Sequence, residues 1–252
     1  MRLGKKPARV GAIPHKFSAF FSAPDLPTPP LVFGKPGMIN SWGLLANDTV
    51  SDCVWADAAH QVMYWNAIAG REVPRFTDAS VISDYSAQTG YDPKRPETDE
   101  GTDLGEASLY WQKIGVLDAM ARRHRIDISV SLRPGNVDEV LLATYLFGAV
   151  SLGIQLPESA QEQFDQAIPW EPVMGSSNLG GHCITCIGRN SHGNILIVTW
   201  GRLHAMTAGF LAQYMDEGVT HFSREMLRAN DLLSPRGYNE AGLTALMPRL
   251  AA

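Results

Sequence analysis

Cys53 and His182 are the two residues of this chain whose types and placement could support nucleophilic catalysis. Ser51 and Asp52 are good helix N-caps, so a helix is predicted to begin at Cys53, while His182 begins a predicted strand. A helix N-terminus and a neighbouring imidazolium both lower the pKa of a thiol, and the thiolate is the nucleophile. The pair therefore predicts thiol chemistry if folding brings the two side chains together.

Two features of the same segment oppose this interpretation. Asp48, Asp52 and Asp57 flank Cys53, and a nearby carboxylate disfavours a thiolate. A cysteine taken alone is more often a small buried apolar residue. From these residues, a nucleophile and a core thiol are both open interpretations.

The other cysteines and histidines are predicted to be structural. His182, Cys183 and Cys186 spell His-Cys-x-x-Cys, but residues 183 and 186 of one strand face opposite sides. We therefore expect buried thiols there and no metal site, and no cofactor is indicated. His60 is expected in the core or at a lobe interface. Two further histidines fall in a predicted turn and a predicted loop and are expected to be solvated: His192 and His204.

Hydrophobic periodicity and capping residues predict a helical half followed by a strand-rich half. Helices are predicted at 53–69, 77–88, 104–113, after the cap Asn136, and at 206–215. Alternating apolar residues predict strands at 126–132, 150–156, 182–187, 195–200 and 219–222. This order indicates an α+β fold with a helical lobe that carries Cys53, a β-rich lobe that carries His182, and a cleft between them.

Composition limits the function classes. The chain has 252 residues, 45% hydrophobic, with a net charge of −5, so its overall charge gives no argument for nucleic-acid binding. Three cysteines provide no disulfide framework. No apolar run has the length of a membrane span, and the N-terminus lacks the apolar region of a signal peptide. We expect a location in a bacterial cytoplasm or a phage virion, without a membrane partner.

Residues 1–40 contain seven prolines and are predicted to form an extended arm. Five basic residues precede the first acidic residue, Asp25, which leaves about −10 on the remainder of a chain of net charge −5. Large apolar side chains favour a docked strap over a free tail: Phe17, Phe20, Phe21, Leu31, Val32 and Phe33. The predicted organisation is thus an arm at 1–40, a domain at 41–222 and a tail at 223–252 packed on that domain.

Several segments resemble the papain family of cysteine peptidases, in the order in which that family has them. Residues 47–56, Asn-Asp-Thr-Val-Ser-Asp-Cys-Val-Trp-Ala, are similar to the nucleophile segment. The other similar segments are 101–105 with 110–116 (Gly-start, helix and terminal Gly), 148–154 (Gly-Ala-Val-Ser-Leu-Gly-Ile), Gly181-His182 and Trp200-Gly201. The resemblance covers about residues 41–201 and implies a papain-like fold.

The resemblance also implies residue roles. Cys53 would be the nucleophile and His182 its proton carrier, and Asn47 would replace the family's oxyanion-hole glutamine. Val198 occupies the position of the asparagine that orients the histidine, so the third member of the triad is missing or replaced. Thr199 is adjacent, but neighbouring residues of a strand point to opposite faces.

Three functions follow as hypotheses. The first is a thiol hydrolase that acts on peptide or amide bonds of a peptide or protein substrate. The second is a catalytically silent phage virion or assembly protein that contacts neighbouring subunits through residues 1–40, since residues 42–48 resemble uncharacterised bacteriophage and prophage proteins. The third is an acyl transferase or peptidoglycan amidase that uses the same two residues.

Overall fold

In the computed structural model, which describes residues 1–20, 26–228, 230–234 and 237, the chain folds into a helical lobe and a β lobe. The α-helices of the described residues are α1 (Phe17–Phe20), α2 (Cys53–Ile68), α3 (Asp78–Thr89), α4 (Leu104–Lys113), α5 (Val137–Phe147), α6 (Glu158–Asp165) and α7 (Ala208–Tyr214). The strands are β1 (Val116–Leu117), β2 (Arg123–His124), β3 (Ile128–Leu132), β4 (Val150–Pro157), β5 (Asn178–Arg189), β6 (Ile195–Thr199), β7 (Arg202–Met206) and β8 (Met215–Phe222). The mixed, two-lobed α+β prediction is confirmed.

The β lobe is built on a six-stranded antiparallel sheet in the order β3-β8-β4-β5-β6-β7. Its central strand β4 is buried along almost its whole length. Helix α2 packs against β5, and 15 of its 16 residues are buried, so it lies between the sheet and the rest of the helical lobe. This position explains why α2 is rich in apolar residues all round rather than on one stripe.

Helix ends follow the capping chemistry of the sequence. The Thr77 side chain accepts a hydrogen bond from Ser80 N–H, which starts α3, and Gly90 ends it in the left-handed conformation. Asp103 and Asn136 cap α4 and α5 in the same way. The predicted helix at 206–215 is corrected: Thr207 caps Phe210 N–H, so α7 begins at Ala208, and the preceding residues form β7.

The arm is docked on the chain's own surface in its described parts. Phe17 and Phe33 are buried, and Phe33 pairs with Arg189 as an isolated antiparallel bridge, whereas Leu31 and Val32 are exposed, contrary to the expectation that they help to dock the arm. Arg9 forms ion pairs with Asp103 and Glu106 at the start of α4. The described part of the arm contains two short helical turns, α1 and a 3-10 turn at Pro36–Met38, although its prolines predict none. Phe21 lies outside the described residues.

The end of the predicted tail is only partly described. Met226 and Leu227 are buried, and the Arg71 guanidinium donates to the Leu227 carbonyl at 3.0 Å, so the first residues of the tail pack on the helical lobe. Residues 238–252 lie outside the described residues. Among the helices that are described, none is long and apolar enough to cross a membrane.

Candidate active site

Cys53 is the first residue of α2 and is fully buried, with 1% of its surface exposed. Its sulfur accepts a hydrogen bond from the backbone N–H of Cys183 at 3.4 Å. Burial is the main reason that the pKa of the thiol is raised to about 12; the nearby Asp52 carboxyl contributes to the rise, and the N–H groups of Cys183 and Gly4 offset part of it. The expectation of a lowered thiol pKa is therefore wrong for this closed arrangement, because lost hydration outweighs the helix N-terminus.

His182 is buried on β5, beside the residue that contacts the thiol. Its Nε2 lies 2.8 Å from Thr199 Oγ1, and its ring stacks on Trp200 with centroids 4.6 Å apart. Its Nδ1 is buried and has no hydrogen-bond partner among the described residues. Burial lowers the pKa of His182 to about 3, so the imidazole is neutral near pH 7.

Thr199 lies beside His182, where the sequence analysis found no residue to orient the imidazole. Val198 pairs with Thr185 in the β5–β6 ladder, so strand alternation places Val198 on the face of Cys183. The same alternation places Thr199 on the face of His182. Thr199, and not Val198, therefore contacts the His182 ring, and only the strand register could have revealed it.

Asn47 lies in a tightly folded loop that leads into α2. Its side-chain amide donates to the Val50 carbonyl at 3.3 Å, and the preceding Leu45 and Ala46 both have positive φ, at 55° and 69°. Non-glycine residues avoid this region, so the loop holds local backbone strain. Asp52 is buried beside it, and lost hydration raises the pKa of this carboxyl well above its usual range, which the Asn47 amide offsets only in part.

Residues 2–6, called here the cleft segment, lie across Cys53 and contact both lobes. Trp200 Nε1–H donates to the Arg2 carbonyl at 3.2 Å. The backbone of the cleft segment forms hydrogen bonds with both lobes. The Arg2 N–H donates to Asn47 O (3.1 Å), and the N–H groups of Gly4 and Lys5 donate to Gly181 O (3.2 and 3.0 Å). The Lys6 N–H donates to Thr102 O (2.9 Å), and the Thr102 N–H donates to Gly4 O (2.7 Å). The chain's own N-terminal residues therefore close the site.

Glycines make this close approach possible. A Cβ on Gly4 would lie 2.0 Å from the Ser51 carbonyl oxygen. A Cβ on Gly101 would lie 2.1 Å from the Gly4 oxygen, and one on Gly181 would lie 2.2 Å from the Lys5 oxygen. Because all three obstacles are backbone atoms, any larger residue at these positions would separate the cleft segment from the lobes.

Most of the other predicted side chains are structural. Cys183 and Cys186 are buried thiols, as predicted, and His60 is a core histidine whose Nε2 lies 3.1 Å from the Trp42 and Gly43 carbonyls. His192 is exposed, as predicted. His204 is not solvated: it is half-buried on β7 between Phe164 and Trp170, and burial lowers its pKa to about 4.

A buried polar cluster behind the thiol was missed by sequence reasoning. The Asp57 carboxylate accepts hydrogen bonds from Thr185 Oγ1 at 2.6 Å, Ser151 Oγ at 2.5 Å and Gln61 Nε2 at 3.0 Å. Lost hydration raises the pKa of Asp57 to about 6, and these donors limit the shift. The spacing of Asp57 and Gln61, four residues apart in a helix, was the available signal. The cluster joins α2 to β4 and β5.

The fold is that of the papain-like cysteine proteases. It is similar to xylellain, a cysteine protease from Xylella fastidiosa, with a TM-score of 0.59 and 12% identity over 88% of this chain and 96% of that one. It is also similar to procathepsin B S9 from Trypanosoma congolense (TM-score 0.61, 12% identity, 88% and 86% of the two chains). The Carica candamarcensis cysteine protease CMS1MS2, in complex with E-64, has a TM-score of 0.53 and 12% identity over 77% of this chain and 99% of that one.

No protein-family model and no curated protein sequence matches the chain. At these identities the structural likeness establishes the fold, and function must be argued from the site itself.

Proposed function

We propose that this chain is a thiol hydrolase of peptide or amide bonds whose site is closed by the cleft segment. The observation that carries the proposal is the hydrogen bond from Cys183 N–H to Cys53 Sγ. It brings the N-terminus of α2 against the residue that follows His182, so Cys53 and His182 would act as nucleophile and base once the cleft is open.

The proposed roles divide the site between the lobes. Thr199 and Trp200 hold His182 by its Nε2 side and by its ring face, which leaves Nδ1 to accept the thiol proton. The Cys53 sulfur would then bond to the substrate carbonyl carbon, and the imidazolium would give its proton to the leaving amine. Water would hydrolyse the resulting thioester. The Cys53 N–H and the Asn47 amide would stabilise the oxyanion.

The closed site is not poised for this reaction. With a thiol pKa of about 12 and an imidazole pKa of about 3, both groups are neutral near pH 7. Both shifts come chiefly from lost hydration, so entry of water after the cleft segment leaves would reverse both. Activity is therefore proposed to require displacement of residues 2–6.

We expect full-length Gly4→Ala protein to cleave amide bonds in a mixed peptide substrate, because the new Cβ displaces the cleft segment. Adding Cys53→Ala should lower the rate roughly 1000-fold or more, as loss of a nucleophile does. Mass spectrometry of the products measures both. Cys186→Ala is the matched control, since it removes a buried thiol that Thr144 contacts away from the cleft. Cleavage that survives Cys53→Ala would contradict the proposal.

Thr199→Val should lower the rate of the opened enzyme roughly 100-fold, because the imidazole loses the bond that fixes its tautomer and orientation. Thr199→Ser keeps the hydroxyl and should keep most of the rate. Steady-state kinetics of both variants in the Gly4→Ala background make the comparison, and the loss should fall on kcat rather than on KM. Equal rates for the valine and serine variants would remove Thr199 from the proposed machinery.

The catalytically silent alternative has an observation in its favour, which is the closed and uncharged site. A folded Gly4→Ala protein with an accessible thiol but no amide cleavage would support this alternative. The link of that hypothesis to bacteriophages depends on the resemblance of residues 42–48 to phage proteins, and it stays a prediction. A peptidoglycan amidase would use the same two residues, and it would be distinguished by cleavage of muropeptides in place of linear peptides.

A further inference from the structure

Lys5 is the most deeply bound side chain of the cleft segment. It is 4% exposed, and its ammonium donates to Glu217 Oε1 at 2.8 Å, to Asp216 Oδ2 at 3.0 Å and to the Lys6 carbonyl at 2.9 Å. A lysine is buried this far only when its charge is paired and its donors are satisfied. All three N–H donors of this ammonium have an acceptor.

The pocket that binds the Lys5 side chain belongs to the β lobe, and the pairing of strands β4 and β8 sets its shape. A register shift in the β4–β8 pairing leaves Asp216 without a direct partner, because Gly153 pairs with Glu217 and Ile154 with Met215. A bulge of this kind lets two successive side chains point toward one side, which regular strand alternation forbids. Two adjacent carboxylates can therefore face one ammonium.

The floor and wall of the pocket are also specific. A Cβ on Gly153 would lie 2.6 Å from Lys5 Cε, so only glycine leaves room there for the aliphatic part of a lysine. Gln155 Nε2 donates to Asp216 Oδ2 at 2.6 Å and fixes the carboxylate. Asp216 Oδ1 is buried and has no hydrogen-bond partner among the described residues, so acceptor capacity is left over.

The pocket lies beside the thiol. The N–H groups of Gly4 and Lys5 both donate to the carbonyl of Gly181, which precedes His182, and the Gly4 N–H also lowers the pKa of the Cys53 thiol. Any peptide that replaces the cleft segment along this path would place a side chain in the Asp216–Glu217 pocket while its backbone crosses the thiol.

We propose that the Asp216–Glu217 pocket is a subsite for a lysine side chain, so that the substrates are peptides with a lysine close to the bond that is cleaved. The claim that lysine peptides are substrates rests on the proposed hydrolase function, but the claim that the pocket binds lysine does not. With Lys5 absent the two adjacent carboxyl groups have no cationic partner, which favours a cation and opposes an apolar or acidic side chain.

Binding can be measured without catalysis in full-length protein that carries Gly4→Ala, Lys5→Ala and Cys53→Ala. The first two changes keep the chain's own segment and lysine out of the cleft, and the third removes the thiol. The probe is a fluorescent peptide with the sequence of residues 1–8, and a second peptide has norleucine at the fifth position. We expect the lysine peptide to bind roughly 10- to 100-fold more tightly in fluorescence anisotropy, the usual range for hydrogen bonds to a charged group.

Glu217→Gln and Asp216→Asn, introduced separately, should each reduce this ratio several-fold, whereas Glu162→Gln on the exposed face of α6 should leave it unchanged. Equal binding of the two peptides, or no binding of either, would overturn the inference. Circular dichroism checks that each variant folds. If one of the two near-isosteric variants misfolds, the binding ratio of the other still tests the inference.

Hydrolysis is then tested separately with Gly4→Ala protein that retains Cys53. Faster cleavage of lysine-containing than norleucine-containing peptides supports both proposals. A lysine preference in binding without any cleavage keeps the subsite and rejects the hydrolase. Cleavage with no preference for lysine in either assay keeps the hydrolase and rejects the subsite.

Discussion

Gly4→Ala should raise the rate at which iodoacetamide alkylates Cys53 roughly 100-fold at neutral pH. The added Cβ would lie 2.0 Å from the Ser51 carbonyl, so residues 2–6 cannot keep their path across the thiol. The thiol pKa then falls from about 12 toward the solvated value of ~8.5. Each unit of that fall raises the thiolate fraction tenfold and lowers thiolate nucleophilicity about threefold, which gives the net factor.

The matched control is Gly37→Ala in the same arm, where an added Cβ has no atom within 4 Å. It should leave the alkylation rate unchanged. Deleting residues 2–6 is an independent route to the open site and should give an increase of the same order. Peptide mass spectrometry assigns the label to Cys53, Cys183 or Cys186. Equal and slow labelling of all three cysteines in both opened proteins would show that the cleft segment does not control the thiol.

Asp57→Ala should lower the free energy of unfolding by about 3–5 kcal/mol, the second large effect that we expect. The substitution removes the acceptor of three side-chain donors that are buried between α2, β4 and β5. A buried donor left without an acceptor costs about 1–3 kcal/mol, and the cavity adds to this cost. Urea denaturation measures the change, and Asp165→Asn on the exposed surface of α6 is the control. A loss below about 1 kcal/mol would contradict the assigned network.

The same carboxyl should make stability depend on pH. Its pKa is about 6 in the folded protein against the ordinary value of 3.8, so the folded state binds the proton more tightly between these values. Stability should therefore fall as pH rises from about 4 to 6, by about 3 kcal/mol for this group. Asp57→Asn cannot titrate and should abolish this part of the pH dependence, whereas Asp165→Asn should retain it. An unchanged pH profile in Asp57→Asn would assign the slope to other groups.

The elements with strong local signals were predictable. Helix α4 has the predicted bounds, and α3 and α5 begin next to the caps Thr77 and Asn136. Their start signals lie within four residues of sequence, so they need no tertiary information. The short helix α6 and the two-residue strands β1 and β2 were missed, because such lengths carry too little periodicity to detect.

The sequence by itself determined the order of elements and the placement of Cys53 at a helix start and of His182 on a strand. It also indicated that the arm carries enough apolar side chains to dock on a surface. Only the tertiary structure decided which residues meet. Thr199 contacts His182 because of a strand register, and Asp216 and Glu217 share a pocket because of a bulge. The thiol is neutral because β5 and the cleft segment bury it together. Register, bulges and hydration depend on pairs of residues far apart in the chain, and no local pattern encodes them.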